Sequence, residues 1–173
     1  SGSTPDEFAA AIVIPMKCRC IGIRAALFNI AAGADFTYSL WPSSSSVDAD
    51  ALAQVAEDGD FPTINTLDGY VDLPFTSPVT LSAGATYYAG VRADTANGLS
   101  IAHLTHAGTG QPASAMLAYP FPSGSISLAS RTWTAGTAGA WSPTATSLPL
   151  INLIIAQVDD GTGGGRANDH IGL

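Results

Sequence analysis

Apolar and polar positions alternate with a period of two along much of this chain, the pattern of strands that bury one face. From Thr86 to Ala93, Tyr87, Ala89 and Val91 face away from Thr86, Tyr88, Gly90 and Arg92. Such aromatic and β-branched side chains suit a pleated surface. Upstream, Val71, Leu73 and Phe75 alternate with Tyr70, Asp72 and Pro74, and the alternation resumes at Val79 and Leu81 after Ser77-Pro78. This predicts two in-line strands joined at a proline bend. Phe36, Tyr38 and Leu40 alternate with Thr37, Ser39 and Trp41 as a half-buried strand.

Two segments are apolar on both faces and are expected at the centre of a sheet. In Cys18 to Ile30, Ile21, Ile23, Ala25 and Leu27 alternate with Cys20, Gly22, Arg24, Ala26 and Phe28; the other is Leu148 to Val158. The run Ala9 to Ile14, closed by Pro15, fits an edge strand or the first strand into the fold. A short turn, Ala32-Gly33-Ala34-Asp35, predicts that Cys18–Ile30 and Phe36–Trp41 form a hairpin. Asn97-Gly98 predicts a second hairpin, pairing Thr86–Ala93 with Leu99–Leu104. Ala49 to Glu57 permits a short helix or a strand ending at Asp58-Gly59-Asp60, and the strand is favoured. Further strands are expected at Met116–Phe121 and around Ser125–Trp133, with turn-rich stretches at Gly108–Ser114 and Ala135–Pro143.

About ten short strands without alternating long helices predict an all-β fold, an antiparallel β-sandwich of jelly-roll type. Residues 1–160 are expected to form one domain and 161–173 a flexible glycine-rich tail. Gly163, Gly164 and Gly165 cannot pack a core, so with Arg166 they are the candidate assembly segment, ordered by a partner.

Composition narrows the partners. Only 12% of the 173 residues are charged, and six basic against fourteen acidic side chains give a formal net charge of −8. A single lysine, Lys17, and five scattered arginines make no basic stripe, which argues against nucleic acid and anionic membrane surfaces. Leu148–Ala156 falls short of the roughly 20 apolar residues that cross a bilayer, and no basic segment followed by an apolar one suggests a signal peptide. A soluble protein is expected. Cys18 and Cys20 point to one face of a strand, where such neighbours rarely reach disulfide geometry. They are expected to be small, buried, reduced hydrophobes.

Tyr38-Ser39-Leu40-Trp41 is followed by Val71-Asp72-Leu73-Pro74-Phe75-Thr76-Ser77-Pro78-Val79-Thr80-Leu81-Ser82-Ala83-Gly84-Ala85-Thr86-Tyr87-Tyr88. A strand ending in Leu-Trp and a later Phe-x-x-Pro-Val-x-Leu-x-Ala-Gly-x-Thr-Tyr unit resemble small jelly-roll domains of phage virion proteins, tail fibres especially. Similar domains stand beside catalytic domains in bacterial surface or secreted proteins. The resemblance spans residues 20–104 and implies a fold; its matching positions include no catalytic set.

Candidate chemistry is sparse. Asp48, Asp50, Asp58 and Asp60, with Glu57, could offer hard oxygens to Ca²⁺, although their spacing is not that of an EF-hand and solvated turn aspartates are the simpler account. Cys18, Cys20, His103 and His106 are zinc-ligand types, but the spacings are loose and the two histidines fall on opposite faces of a strand. No Gly-x-Ser-x-Gly occurs, and only two of the fourteen acids are Glu, so no enzyme is expected. Beyond that Ca²⁺ no cofactor is implied. Trp41, Tyr70, Tyr88, Trp133 and Trp141 could form a platform for sugar rings. Trp133 and Trp141 flank a Gly/Ala/Thr-rich loop and are expected to be the most exposed. The alternative is that these rings fill the interior or a subunit interface.

The expected function is a non-catalytic virion structural protein, such as a phage capsid decoration, head fibre or tail component, located in the virion. Its partners would be copies of itself and other virion proteins. The alternative is a carbohydrate-binding module of a fibre or secreted protein, extracellular or at the cell surface, that binds host glycans.

Overall fold

The computed structural model describes residues 7–28, 36–42, 51–57, 69–93, 100–105, 126–134, 137–144, 147–158 and 166–167. These are all-β. The strands are β1 (Glu7–Val13), β2 (Cys18–Phe28), β3 (Phe36–Pro42), β4 (Ala53–Glu57), β5 (Gly69–Leu81), β6 (Thr86–Ala93), β7 (Ser100–Ile101) and β8 (His103–Thr105). They continue as β9 (Ile126–Arg131), β10 (Trp133–Thr134), β11 (Thr137–Ala138), β12 (Ser142–Thr144), β13 (Ser147–Pro149), β14 (Ile151–Val158) and β15 (Arg166–Ala167). A six-stranded sheet has the order β12-β9-β1-β6-β3-β4, and a second runs β15-β14-β2-β5, with β7 also on β2. The short pairs β10-β11 and β13-β8 complete the ladders.

The first six strands pair in a nested way: β1 with β6, β2 with β5, β3 with β4, all antiparallel. The outer and inner pairs lie in the six-stranded sheet and the middle pair in the other, so the chain wraps as a folded-back ribbon. Strands β9 and β14 then add beside β1 and β2. Between the sheets lies one core. Ile12, Leu40 and Val91 reach into it from one sheet, and Ile23, Leu73 and Ile151 from the other. Tyr38 ties the two: its ring stacks on Phe75 with centroids 6.0 Å apart, and its hydroxyl donates to the Pro74 carbonyl at 2.5 Å.

Strand β2 changes face midway. Its ladder with β5 steps from Cys20↔Val79 to Gly22↔Pro74, leaving Ile21 as a bulge opposite the extra residues Phe75–Pro78. The strict alternation expected for this segment is therefore broken: Cys18 and Cys20 join Ile23, Ala25 and Leu27 in the core. Gly22 is required at the bulge, because a Cβ there would sit 2.5 Å from the Leu73 carbonyl oxygen. Both thiols are free and buried, and burial pushes the Cys20 thiol up from 9.0 to about 11.

Several expectations hold. β6 has the expected bounds, β4 is a strand, β2 and β14 are flanked on both sides, and the irregularity of β5 falls at the proline bend, although Gly69–Leu81 is one continuous strand and not the two expected. Others do not. β1 is the first described strand, as one of its two expected roles had it, but it is no edge: it is central, between β6 and β9, and Pro15 lies in the bend beyond its end and costs no ladder bond. β2 and β3 lie in opposite sheets and are no hairpin. β3 is buried on both faces up to Trp41. β6 has both edges taken by β1 and β3, so the expected return strand pairs elsewhere, β7 with β2 and β8 with β13. The last long strand is divided at Leu150, and the turn-rich 135–143 stretch carries β11 and the start of β12. Asn97-Gly98, Met116–Phe121 and Gly163–Gly165 lie outside the described residues, whereas Arg166 begins β15 and pairs with Val158.

Candidate functional site: a charged and aromatic cluster on the outer sheet face

The outer face of the six-stranded sheet is ruled by register. One cross-strand row reads Thr37, Arg92, Glu7, Arg131; the next Ser39, Gly90, Ala9, Ala129; the third Trp41, Tyr88, Ala11, Ser127. The middle row is small, which lets the Trp41 side chain cross it towards the charges. Gly90 is part of this clearance, since a Cβ there would lie 2.8 Å from Glu7 Oε1. After β9 the chain turns back as the β10-β11 hairpin, closed by the Gly139 N–H on the Thr132 carbonyl at 2.8 Å. This brings Trp133 and Trp141 to the same face.

Glu7 stands at the centre. Its Oε1 accepts from Ser39 Oγ and Trp41 Nε1, both at 3.1 Å. Its Oε2 accepts from Arg131 Nε at 2.6 Å and Trp133 Nε1 at 2.8 Å. Trp41 Nε1 shares its proton with Ser39 Oγ at 2.5 Å. The Glu7 and Arg131 side chains are 1% and 0% exposed, so the pair is a fully desolvated one. Burying two charges is costly unless their remaining donors and acceptors are matched, and here four donors fill the carboxylate.

The Arg131 guanidinium lies among three indoles. Its Cζ is 4.1 Å from the ring centres of Trp41 and Trp141 and 4.9 Å from that of Trp133. Arg92 stacks on Trp133 at 4.1 Å. Tyr88 and Trp141 are parallel, 4.8 Å apart with 4° between planes. Desolvated cation–π contacts are worth about 2 kcal/mol each, so the cluster binds β1, β3, β9 and the hairpin together. A saturated, sealed carboxylate has no access to a substrate proton. Its chemistry is structural.

Four of the five candidate aromatics, Trp41, Tyr88, Trp133 and Trp141, thus converge on one cluster. Trp133 and Trp141, expected to be the most exposed, are half-buried. Tyr70 stands apart on β5 of the other sheet, 59% exposed. Beside it, Arg24 grips Asp72 through two bonds at 2.5 and 2.8 Å, and this hydrogen-bonded partner holds the Asp72 carboxyl below its ordinary range. Asp48, Asp50, Asp58, Asp60 and His106 lie outside the described residues. Among the described residues no group of three or more His, Cys, Asp or Glu could hold a metal ion, and no helix is long and apolar enough to cross a membrane.

Glu7 and Arg131 were not singled out from the sequence. The available signal was an acid opening an apolar strand, Glu7-Phe8-Ala9-Ala10-Ala11, directly after Asp6, and a charge two positions before a tryptophan, Arg131-Thr132-Trp133. No known protein family, curated protein or solved structure matches the chain.

Proposed function

We propose that the chain is a non-catalytic structural module of a phage virion, a capsid decoration, head-fibre or tail component, which acts by assembling with copies of itself. In this proposal the nested pairs β1/β6, β2/β5 and β3/β4 are a short jelly roll. The resemblance that motivates it falls on β5, the turn Ser82–Ala85 and β6, with Gly84 at φ +76° supplying the turn.

The observation that favours assembly over a sugar-binding module is the use made of the aromatic rings. Sugar platforms need open ring faces, whereas Trp41, Trp133 and Trp141 stack on Arg131, and Trp141 also covers Tyr88. Few charges for the surface to be covered fit faces buried by neighbours. The test is the solution mass of the purified chain by light scattering, with and without EDTA. A stable trimer or larger species, insensitive to EDTA, is expected. A monomer that loosens on Ca²⁺ removal would contradict the proposal and favour the sugar-binding alternative.

A further inference from the structure

The hydrogen-bond inventory of the outer-face cluster leaves three donors over. Arg131 Nη1, Arg131 Nη2 and Trp141 Nε1 are buried and meet no acceptor. Glu7 cannot serve them, because its lone-pair positions are taken by Ser39, Trp41, Arg131 Nε and Trp133. The leftover donors are neighbours, since the guanidinium carbon is 4.1 Å from the Trp141 ring centre. Unmatched buried N–H groups are costly, more so when the donor is charged.

We propose that this corner of the cluster is a binding site for one compact anion of halide size, held by the terminal Nη1/Nη2 edge of Arg131 and the indole N–H of Trp141. The chemistry selects an anion over an internal water. A buried water makes about three hydrogen bonds and needs acceptors for its own protons, while the unmet buried side-chain groups among the described residues are all donors. An anion needs donors only. The guanidinium then lies between two negative groups, Glu7 on its Nε side and the anion on its outer edge. Arg92, cross-strand neighbour of Glu7, adds a second positive charge to the row. Size is limited by access: all three donor atoms are buried, which leaves no open path for an organic carboxylate.

A ligand that binds only the folded state raises stability in proportion to the logarithm of its concentration above its dissociation constant. The thermal midpoint of the full chain is therefore measured in sodium chloride and in sodium gluconate at equal ionic strength, chloride being the probe. The midpoint is expected to climb with chloride and to lag in gluconate. Trp141→Phe keeps the ring stacked on Arg131 and Tyr88 but lacks the N–H, and should raise the half-saturating chloride concentration about tenfold, as befits one lost bond to a charged acceptor. Comparing the two proteins cancels general salt effects. If wild type and Trp141→Phe respond identically, or if chloride and gluconate give the same midpoint, the donors are met by the indole faces alone and the site does not exist.

Discussion

At Glu7 a carboxylate 1% exposed accepts from four donors supplied by β3, two strands away across β6, by the neighbouring β9 and by the hairpin beyond it. Such a residue is hard to find from the sequence, because its partners Arg131 and Trp133 are more than a hundred positions away and period-two patterning assigns faces, not contacts. The alternation separates Trp41 from Leu40, and Tyr88, Gly90 and Arg92 from Ala89 and Val91, without saying whether the rings lie inside or outside. What it could not say is that this outer face is itself covered. Gly90 carries a direct consequence of that cover. Gly90→Ala would press a methyl group against Glu7 Oε1, at 2.8 Å, and should destabilise the fold by about 1–3 kcal/mol in urea unfolding. At an exposed position in a strand, the same change would be neutral or favourable.

Among the elements, the legible ones were those whose signal is local. β6 alternates along its whole length and β5 on either side of its proline bend, and proline is tolerated in a strand that ends a sheet, as β5 does. Pro15 marks the end of β1 and leaves edge and first strand equally open; Ala9, Ala10 and Ala11 are all buried, as a central strand covered on both faces requires. Neither expected hairpin forms, because a short turn shows only that two strands can be neighbours. It does not show that they are, and a sandwich can use the same turn to pass from one sheet to the other. The β2 bulge is likewise invisible to a fixed period. It places both thiols in the core, and this has a pH signature. With the folded Cys20 thiol raised to about 11 and the ordinary value at 9.0, the unfolded chain loses its proton first as pH rises. Stability from this group is full below pH 9 and should fall between pH 9 and 11. Cys20→Ala, less stable overall, should show a shallower fall over that interval; an equal slope would place the titration elsewhere. Native thiols should also react with a disulfide reagent at pH 8 only as fast as the protein opens.

For the whole molecule, the fold depends on pairings between distant segments. The nested order joins β1 to β6 and β2 to β5, and the outer-face cluster joins the start of the described chain to β9 and the hairpin after it. Fold class could be read from strand number and turn spacing, since those are sums over local signals. Sheet order could not, because pairing over long separations leaves no mark in a single sequence. The functional proposal belongs to this scale too: with the outer-face aromatics turned inward on Arg131, the molecule has other surfaces to offer to neighbouring copies, and its solution mass decides that point.

The central structural claim is that Glu7 and Arg131, 124 positions apart, form one buried unit. A double-mutant cycle with Glu7→Gln, Arg131→Met and the double variant, read by urea unfolding, measures it. Each single change should cost about 3–5 kcal/mol by stranding a buried partner. The double variant should cost less than their sum by more than about 1.5 kcal/mol, whereas additivity within about 0.5 kcal/mol would mean that the two residues do not meet.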